Sequence, residues 1–419
     1  MDTSIDLVVV GGGPAGLFAA IRTKELNPGI TVMVLEKMDR CGRKLLLTGA
    51  GQCNLTRAET SREMISGYGR QGRFLGTALA TLSPQATCSW FETCGLPLTT
   101  RSDKKIFPAS FRAMDVLDVL MGRCEALGID IQYHTACMSI DTDGSAFSVG
   151  TSDGRSIVAH AVLIATGGMS CPGTGSTGDG YALAKTFGHR IIPPRPALAS
   201  ARVLNEDLAD LEGVSLETVE LSASHGRWKG PLVFTRNGIS GPVVIDNSRD
   251  LATGETVRLR LVFRDEGKPM SREQFAAVLL RQAHSMPAKR IDTMLHLATG
   301  LPKRLVAHKM SMLRISQDIP CADMSGSLAA KIASGLCQWP LVVSFEGAFK
   351  TCMATAGGVS LEEIDSKTMM STHAAGLYFA GETIDADGKS GGYNLQAAWS
   401  TAELAARSIA SRSYRRTEP

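Results

Sequence analysis

Glycines at 11, 13 and 16 and a carboxylate at Glu36 are the residues of this 419-residue chain whose types and spacing most directly imply chemistry. In Gly11-x-Gly13-x-x-Gly16 the first glycine permits a tight turn and the second lets a pyrophosphate approach the backbone. The third lets a helix pack closely on a strand. Pro14 and Ala15 stand where that helix opens, so free N–H groups and the positive end of its dipole face the phosphates. Glu36 can accept hydrogen bonds from both ribose hydroxyls of an adenosine, and its charge repels a 2′-phosphate. A glycine triplet alone is a weak sign, and the frame makes it specific. Apolar residues 7–10 precede it as a strand, a helix follows, and residues 31–35 return as a second strand ending at the acid.

The rest of the ligand site is written further along. Residues 37–57 are too rich in glycine and basic residues for a plain helix. They read as a second wall of the nucleotide site: Gly42, Gly49 and Gly51 let backbone amides approach, and Lys37, Arg43 and Lys44 offset a diphosphate charge, with Asn54 beside them. Residues 161–168 form a buried apolar strand ending Thr166-Gly167-Gly168, a second close approach of backbone to ligand. Residues 172–178 match GxGxxG formally, but they stand well past their strand and no acid-terminated strand follows, so they read as a loop. Near the end, residues 376–382 give another buried strand closing on Gly381-Glu382, and a long helix runs from Tyr393 to about residue 411. A carboxylate at 382 suits a polyol hydroxyl, and a helix N-terminus at 392–396 suits an electron-rich ring carbonyl. Nicotinamide dinucleotides need neither contact, whereas FAD has both a ribityl chain and a flavin pyrimidine edge.

The elements that must position these residues follow from periodicity. Residues 74–96 and 113–127 repeat apolar positions as helices, 101–107 as a short hairpin segment, and 181–187 as a helix. Runs at 129–133, 135–140, 146–149 and 156–159 around turns at Asp143-Gly144 and Asp153-Gly154 make a β-meander, of the kind that covers one face of a nucleotide-binding sheet. Three prolines in 191–196 mark a boundary. Beyond it, short β runs (201–204, 216–223, 232–235, 256–263) and helical stretches (271–282, 302–312, 328–336) read as a small β-domain carrying a helical subdomain, with 237–242 as a turn before a short helix.

Composition narrows the function. A formal charge of +3 over 44 basic and 41 acidic residues offers no electrostatic footprint for nucleic acid or anionic membrane. None of the ten cysteines forms a CxxC pair, so dithiol, zinc and iron–sulfur motifs all lack their spacing, and no metal site is expected. Most of the thiols read as small buried hydrophobes in a reducing compartment. The first six residues carry no positive charge and the following apolar run is the nucleotide motif, so a cytoplasmic protein with no membrane contact is expected, ending in a solvated basic tail.

These residues resemble the glutathione-reductase-like FAD superfamily through GGGPAG, Glu36, Ala165-Thr166-Gly167 and Ala380-Gly381-Glu382. Residues 42–56 (GRKLLLTGAGQCNLT), 175–180 (GSTGDG), 238–242 (GISGP) and 391–396 (GGYNLQ) are more narrowly similar to the bacterial flavoprotein family that includes aminoacetone oxidases and a bile-acid-dehydroxylation flavoprotein. The resemblance covers nearly the whole chain. It implies an α/β fold: a discontinuous Rossmann-like FAD-binding domain (1–190 and 346–412) with an inserted β-barrel-like domain (191–268 and 337–345) and a helical subdomain (269–336), then the tail 413–419. It implies non-covalent FAD, with Glu36 on the ribose and Arg43, Lys44 and Gly51 beside the cofactor. The Cys137 backbone falls near adenine, Gly381 and Glu382 on the phosphate–ribityl stretch, and Asn394 and Leu395 at the flavin pyrimidine. One departure is Arg236-Asn237 before Gly238, where the family often has a histidine.

The activity expected is an FAD-dependent oxidoreductase of a small metabolite. Amine oxidation or dehydrogenation ranks first, with oxygen as acceptor, and NAD(P)H-dependent reduction of a carbon–carbon double bond second. A flavin-binding accessory or RNA-associated protein without turnover ranks third. No catalytic residue is assigned; Cys53, Asn54, Arg236 and Tyr393 are the candidates near the ring, because flavin carries the hydride chemistry itself.

Overall fold

The computed structural model describes residues 4–265 and 268–412, and the expected tail 413–419 lies outside them. The chain forms two compact units, residues 1–197 with 349–419, and residues 198–348.

The first unit is built on parallel strands. Strand β1 (Ile5–Val10) lies between β2 (Val32–Leu35) and, on its other side, the strand Ser156–Ile164, in registers Val9 to Val34 and Val9 to Leu163. Asp130–Gln132 extends the β2 edge in parallel, and Leu377–Phe379 pairs in parallel with the C-terminal half of Ser156–Ile164. Leu7, Val8 and Val9 are fully buried, as expected of a parallel sheet covered on both faces. Helix α1 (Pro14–Leu26) starts with proline at its first position and has no side-chain cap. A Cβ on Gly16 would sit 2.0 Å from the Gly11 carbonyl oxygen, so only glycine lets this helix begin so close to the strand. The C-terminal helix, Tyr393–Ala410, packs along α1 through Phe18 and Trp399 (ring centres 5.5 Å apart) and through Arg22, which reaches the buried Glu403 carboxylate at 2.6 Å.

Several local expectations are corrected. The helical run 74–96 is two helices, Gly72–Thr81 and Pro84–Thr93, because the Ser83 hydroxyl accepts the Ala86 N–H at 3.1 Å and Pro84 cannot continue the first helix. The runs 156–159 and 161–168 share one nine-residue strand, Ser156–Ile164, and the meander hydrogen-bonds antiparallel onto its first half. The proline-rich segment Ile191–Ala197 is a strand of the first unit, paired antiparallel with Ala354–Val359, so the boundary falls at 197. Its pairing skips a register step between Ile192 and Arg195, where Pro193 and Pro194 have no N–H to give.

The second unit contains a closed six-stranded antiparallel barrel. Its strands in barrel order are Ala201–Val203, Gly238–Ser240, Gly226–Thr235, Ser215–Ala223, Thr256–Leu261 and Trp339–Ser344. Alternate residues Val219 and Leu221, Leu232 and Phe234, Val257 and Leu259, and Trp339 and Leu341 are all fully buried, the two-residue period of a filled small barrel. Residues 238–240, expected as turn, complete the closure by pairing on both sides. Helices Arg272–Ser285, Lys303–Met312 and Gly326–Cys337 match expectation, and Ile291–Thr299 was not anticipated. These helices and the barrel fall in one unit. No described helix is long and apolar enough to cross a membrane.

Candidate functional site

The parallel strands of the first unit all end at the same edge, where an open α/β sheet binds its ligands. There Val10, Leu35 and Ala165 reach a cleft of about 1200 Å³, open mouth included.

At one end, Glu36 accepts the Gly12 N–H (3.0 Å) and the Met38 N–H (2.8 Å) on separate oxygens. Burial raises its pKa above the usual glutamate value against the pull of those amides. A Cβ on Gly12 would meet the Cys41 sulfur at 2.4 Å, so the turn is packed from behind. Gly13 is different: nothing lies within 4 Å of where its side chain would be. It therefore offers open backbone at the uncapped N-terminus of α1. Lys37 pairs with Asp179 at 2.5 Å, and Arg43 with Asp39 at 3.0 Å.

At the other end, Glu382 is held by cation and hydroxyl as well as backbone. Lys44 approaches one carboxylate oxygen at 2.5 Å, while the other accepts the Thr355 N–H (2.6 Å) and the Ser170 hydroxyl (3.1 Å). Asn394 uses its side chain on the preceding loop, accepting the Gly388 N–H at 2.9 Å and donating to the Gly388 carbonyl at 3.0 Å. The helix there starts at an uncapped Gly392 with φ +100°. Its N-terminal turn brings Asn394 and Leu395 to the cleft wall.

The cleft brings together Gly11, Gly13, Pro14, Ala15, Glu36, Lys37, Arg43, Lys44, Cys137, Thr166, Gly167, Gly381, Glu382, Asn394 and Leu395. Gly16, Gly49, Gly51 and Asn54 are not on its wall. Gly16 serves packing, and Gly49 and Gly51 give a kinked 3₁₀ segment its left-handed turns (φ +57° and +84°). Asn54 is buried, with an Oδ1 that has no hydrogen-bond partner. Among the other candidates, Cys53 is fully buried and its thiol pKa is pushed up to about 12, so it is no thiolate. The Tyr393 hydroxyl donates to Glu59 at 3.0 Å, and Arg236 is exposed in the second unit. Sequence reasoning missed Arg40, Thr48, Thr135 and Met353 on the wall. It also set aside Thr174, Gly175 and Ser176, which belong to the second glycine motif and do line the cleft.

The N-terminus of α1 supplies the test of fit. Its open Gly13 backbone and uncapped start lie on the cleft wall, whereas the Thr166 hydroxyl is buried against Gly180. An amide cradle of this kind suits an anionic group of a flavin nucleotide.

Away from the cleft, His189, Glu363 and His373 have ligand atoms within 4.8 Å of one another. The two imidazoles stack with centres 4.4 Å apart and planes 11° apart, so their in-plane lone pairs cannot meet at one ion. The Ser371 oxygen accepts the His373 and Ala374 N–H groups and so donates its own proton to His189 Nε2 at 2.7 Å. The His189 Nδ1 proton then faces Glu363 at 3.4 Å.

A family model described as the HI0933-like protein Rossmann domain matches residues 5–408. The chain belongs to the HI0933-like family. It is 30% identical over 96% of its length, and 98% of the relative's, to a 3-dehydro-bile acid delta(4,6)-reductase of Clostridium scindens. It is also 28% and 29% identical to ribosomal RNA dihydrouridine synthases of Escherichia coli and Haemophilus influenzae, each over 96% of this chain and 98% of the relative. Its fold resembles that of a 3-ketosteroid delta1-dehydrogenase from Sterolibacterium denitrificans, with TM-score 0.54 and 13% identity over 97% of this chain and 99% of that one. This HI0933-like chain is a flavin-dependent oxidoreductase.

Proposed function

We propose that the chain binds FAD non-covalently and reduces a carbon–carbon double bond conjugated to a carbonyl. The observation that supports this reading most is a shared chemistry among relatives that match from end to end. A delta(4,6)-reductase and a dihydrouridine synthase act on unrelated skeletons, yet both names describe two hydrogens added across an alkene. For a 3-oxo steroid and for uracil that alkene is conjugated to a carbonyl. The second expectation from sequence is therefore preferred to amine oxidation.

In this reading Glu36 holds the adenosine ribose, and the α1 N-terminus with Gly13 takes the diphosphate. Glu382 meets the ribityl stretch, with Thr166 and Gly167 on the same wall, and the N-terminal turn of the last helix, with Asn394 and Leu395, meets the pyrimidine edge. FAD, when bound, supplies the hydride chemistry. The residues contribute orientation and charge, and Lys44 holds the Glu382 carboxylate in place.

The test is anaerobic. The flavoprotein is reduced with dithionite, then mixed separately with a 3-oxo-4,6-diene steroid and with uridine-containing RNA while flavin absorbance is followed. Saturable reoxidation by one of them, with formation of the saturated product, is expected. Inertness to both, together with flavin reduction by an amine and peroxide formation in air, would restore the oxidase.

A further inference from the structure

We propose that Cys171 and Cys352 form a dithiol site that a peroxide oxidises to a disulfide, tying together two loops that flank the cleft. The two cysteines are 181 positions apart, so no spacing motif could reveal them.

Both converge on one carbonyl. The Cys171 N–H donates to the Phe349 oxygen at 2.8 Å, and the Cys352 sulfur lies 3.9 Å from that same oxygen. The Cys171 thiol in turn donates to the Cys352 carbonyl at 3.5 Å, so both sulfurs meet the backbone of the 349–352 turn. Their exposures differ in a useful way. Cys352 is fully buried, whereas Cys171 is half-buried and reachable by a small oxidant. Cys171 also sits at φ +54°, left-handed backbone that a β-carbon disfavours, with its carbonyl accepting the Thr174 hydroxyl at 2.8 Å. Cys41 and Cys124 are the contrasting case: both are buried and closed to an oxidant.

The chemistry balances without any group foreign to the proposal. Cys171–SH and H₂O₂ give Cys171–SOH and water. Cys352–SH then attacks that sulfur, the S–O bond breaks, and the hydroxyl leaves as water with the Cys352 proton. Two electrons pass from the sulfurs to the peroxide oxygens. Burial pushes the Cys352 thiol up to about 11, so the second step quickens as pH rises.

The bridge would bear on the ligand site. Ser170, next to Cys171, hydrogen-bonds to Glu382 and Lys44, Thr174 to Ser176 line the cleft, and so does Met353, next to Cys352. Fixing one loop to the other slows flavin exchange through that wall.

The experiment treats the full-length flavoprotein with graded hydrogen peroxide, alkylates free thiols, and maps peptides by mass spectrometry. A Cys171–Cys352 cross-linked peptide, lost on treatment with dithiothreitol, is expected, with at least a threefold slower exchange of bound flavin for free flavin. Cys171→Ser should abolish both effects. Cys352→Ser should leave Cys171 as a sulfenic acid trapped by dimedone, and the Cys171 variant alone suffices if the buried substitution fails to fold. Oxidation of Cys171 to sulfinic acid in the unsubstituted protein without the cross-link would overturn the proposal. So would a disulfide between other cysteines, or unchanged flavin exchange in the bridged protein.

Discussion

The two acid-terminated ends of the cleft look alike in sequence and are held differently in space. Glu36 has only backbone partners on its carboxylate, two amides at 3.0 and 2.8 Å, in a half-buried position. Glu382 adds a lysine and a hydroxyl to one backbone amide, and its side chain stays 20% exposed. The same strand-Gly-acid wording thus produces a rigid anchor at the adenosine end and an adjustable ion pair at the ribityl end. A Lys can move and re-pair, whereas a backbone amide in a packed turn cannot.

If the anchor reading is right, Glu36→Ala should have the largest effect on binding. It removes a charge-assisted acceptor worth about 1.5–3 kcal/mol, so the FAD dissociation constant should rise roughly tenfold or more in a folded protein. Fluorescence titration of the apoprotein measures it, and an unchanged constant would place the adenosine elsewhere. The raised pKa adds a sign. Because the carboxylate protonates at a higher pH than an ordinary glutamate, affinity should begin to fall above the usual range near 4.3–4.5 as the solution is acidified. Glu36→Gln should flatten that profile.

Thr166→Val sharpens the comparison from the middle of the cleft. The hydroxyl has no hydrogen-bond partner and is closed to the cleft against Gly180, so removing it should stabilise the apoprotein by about 1 kcal/mol while leaving FAD binding unchanged. Paired thermal melts with and without FAD read both. A loss of apoprotein stability would show that the hydroxyl has a structural role.

A third test concerns stability outside the site. Burial, then the facing His373, lowers the His189 pKa below its ordinary value, with Glu363 opposing. The unfolded chain therefore binds more protons than the folded one below about pH 6.5, and stability should fall as pH drops through that range. The melting temperature should lose a few degrees between pH 7 and 5, and less in His189→Gln.

The first unit was legible in sequence because each part of its framework carries a distinct chemical signature. Continuous apolar runs make parallel strands, and Gly11 and Gly16 meet steric demands no other residue meets. The barrel was legible only as short β runs, since its closure depends on residues 238–240, whose Gly-Ile-Ser reads as turn until partners on both sides are known. On the site, the wall residues with special backbone or charge were recoverable. Met353 and Thr135 were not, because an ordinary side chain reaches the cleft only through tertiary placement. Gly49, Gly51 and Asn54 lie off the cleft wall: the two glycines give the loop its left-handed turns, and Asn54 is buried within it.

The smallest expected effect tests whether the Lys44–Glu382 end is as adjustable as its chemistry suggests. A pair about one-fifth exposed contributes at most about 1 kcal/mol once screening and side-chain entropy are counted. Glu382→Gln keeps an oxygen for the Thr355 N–H, and Lys44→Met keeps the aliphatic stem, so each single change should raise the FAD dissociation constant only about threefold. In the double mutant the two losses should overlap, because each single change already breaks the same ion pair. A coupling energy of roughly 0.5–1 kcal/mol is expected, falling further at high salt. A coupling above about 2 kcal/mol, insensitive to salt, would mean that this end is as rigid as the Glu36 anchor, and the contrast between the two ends would be lost.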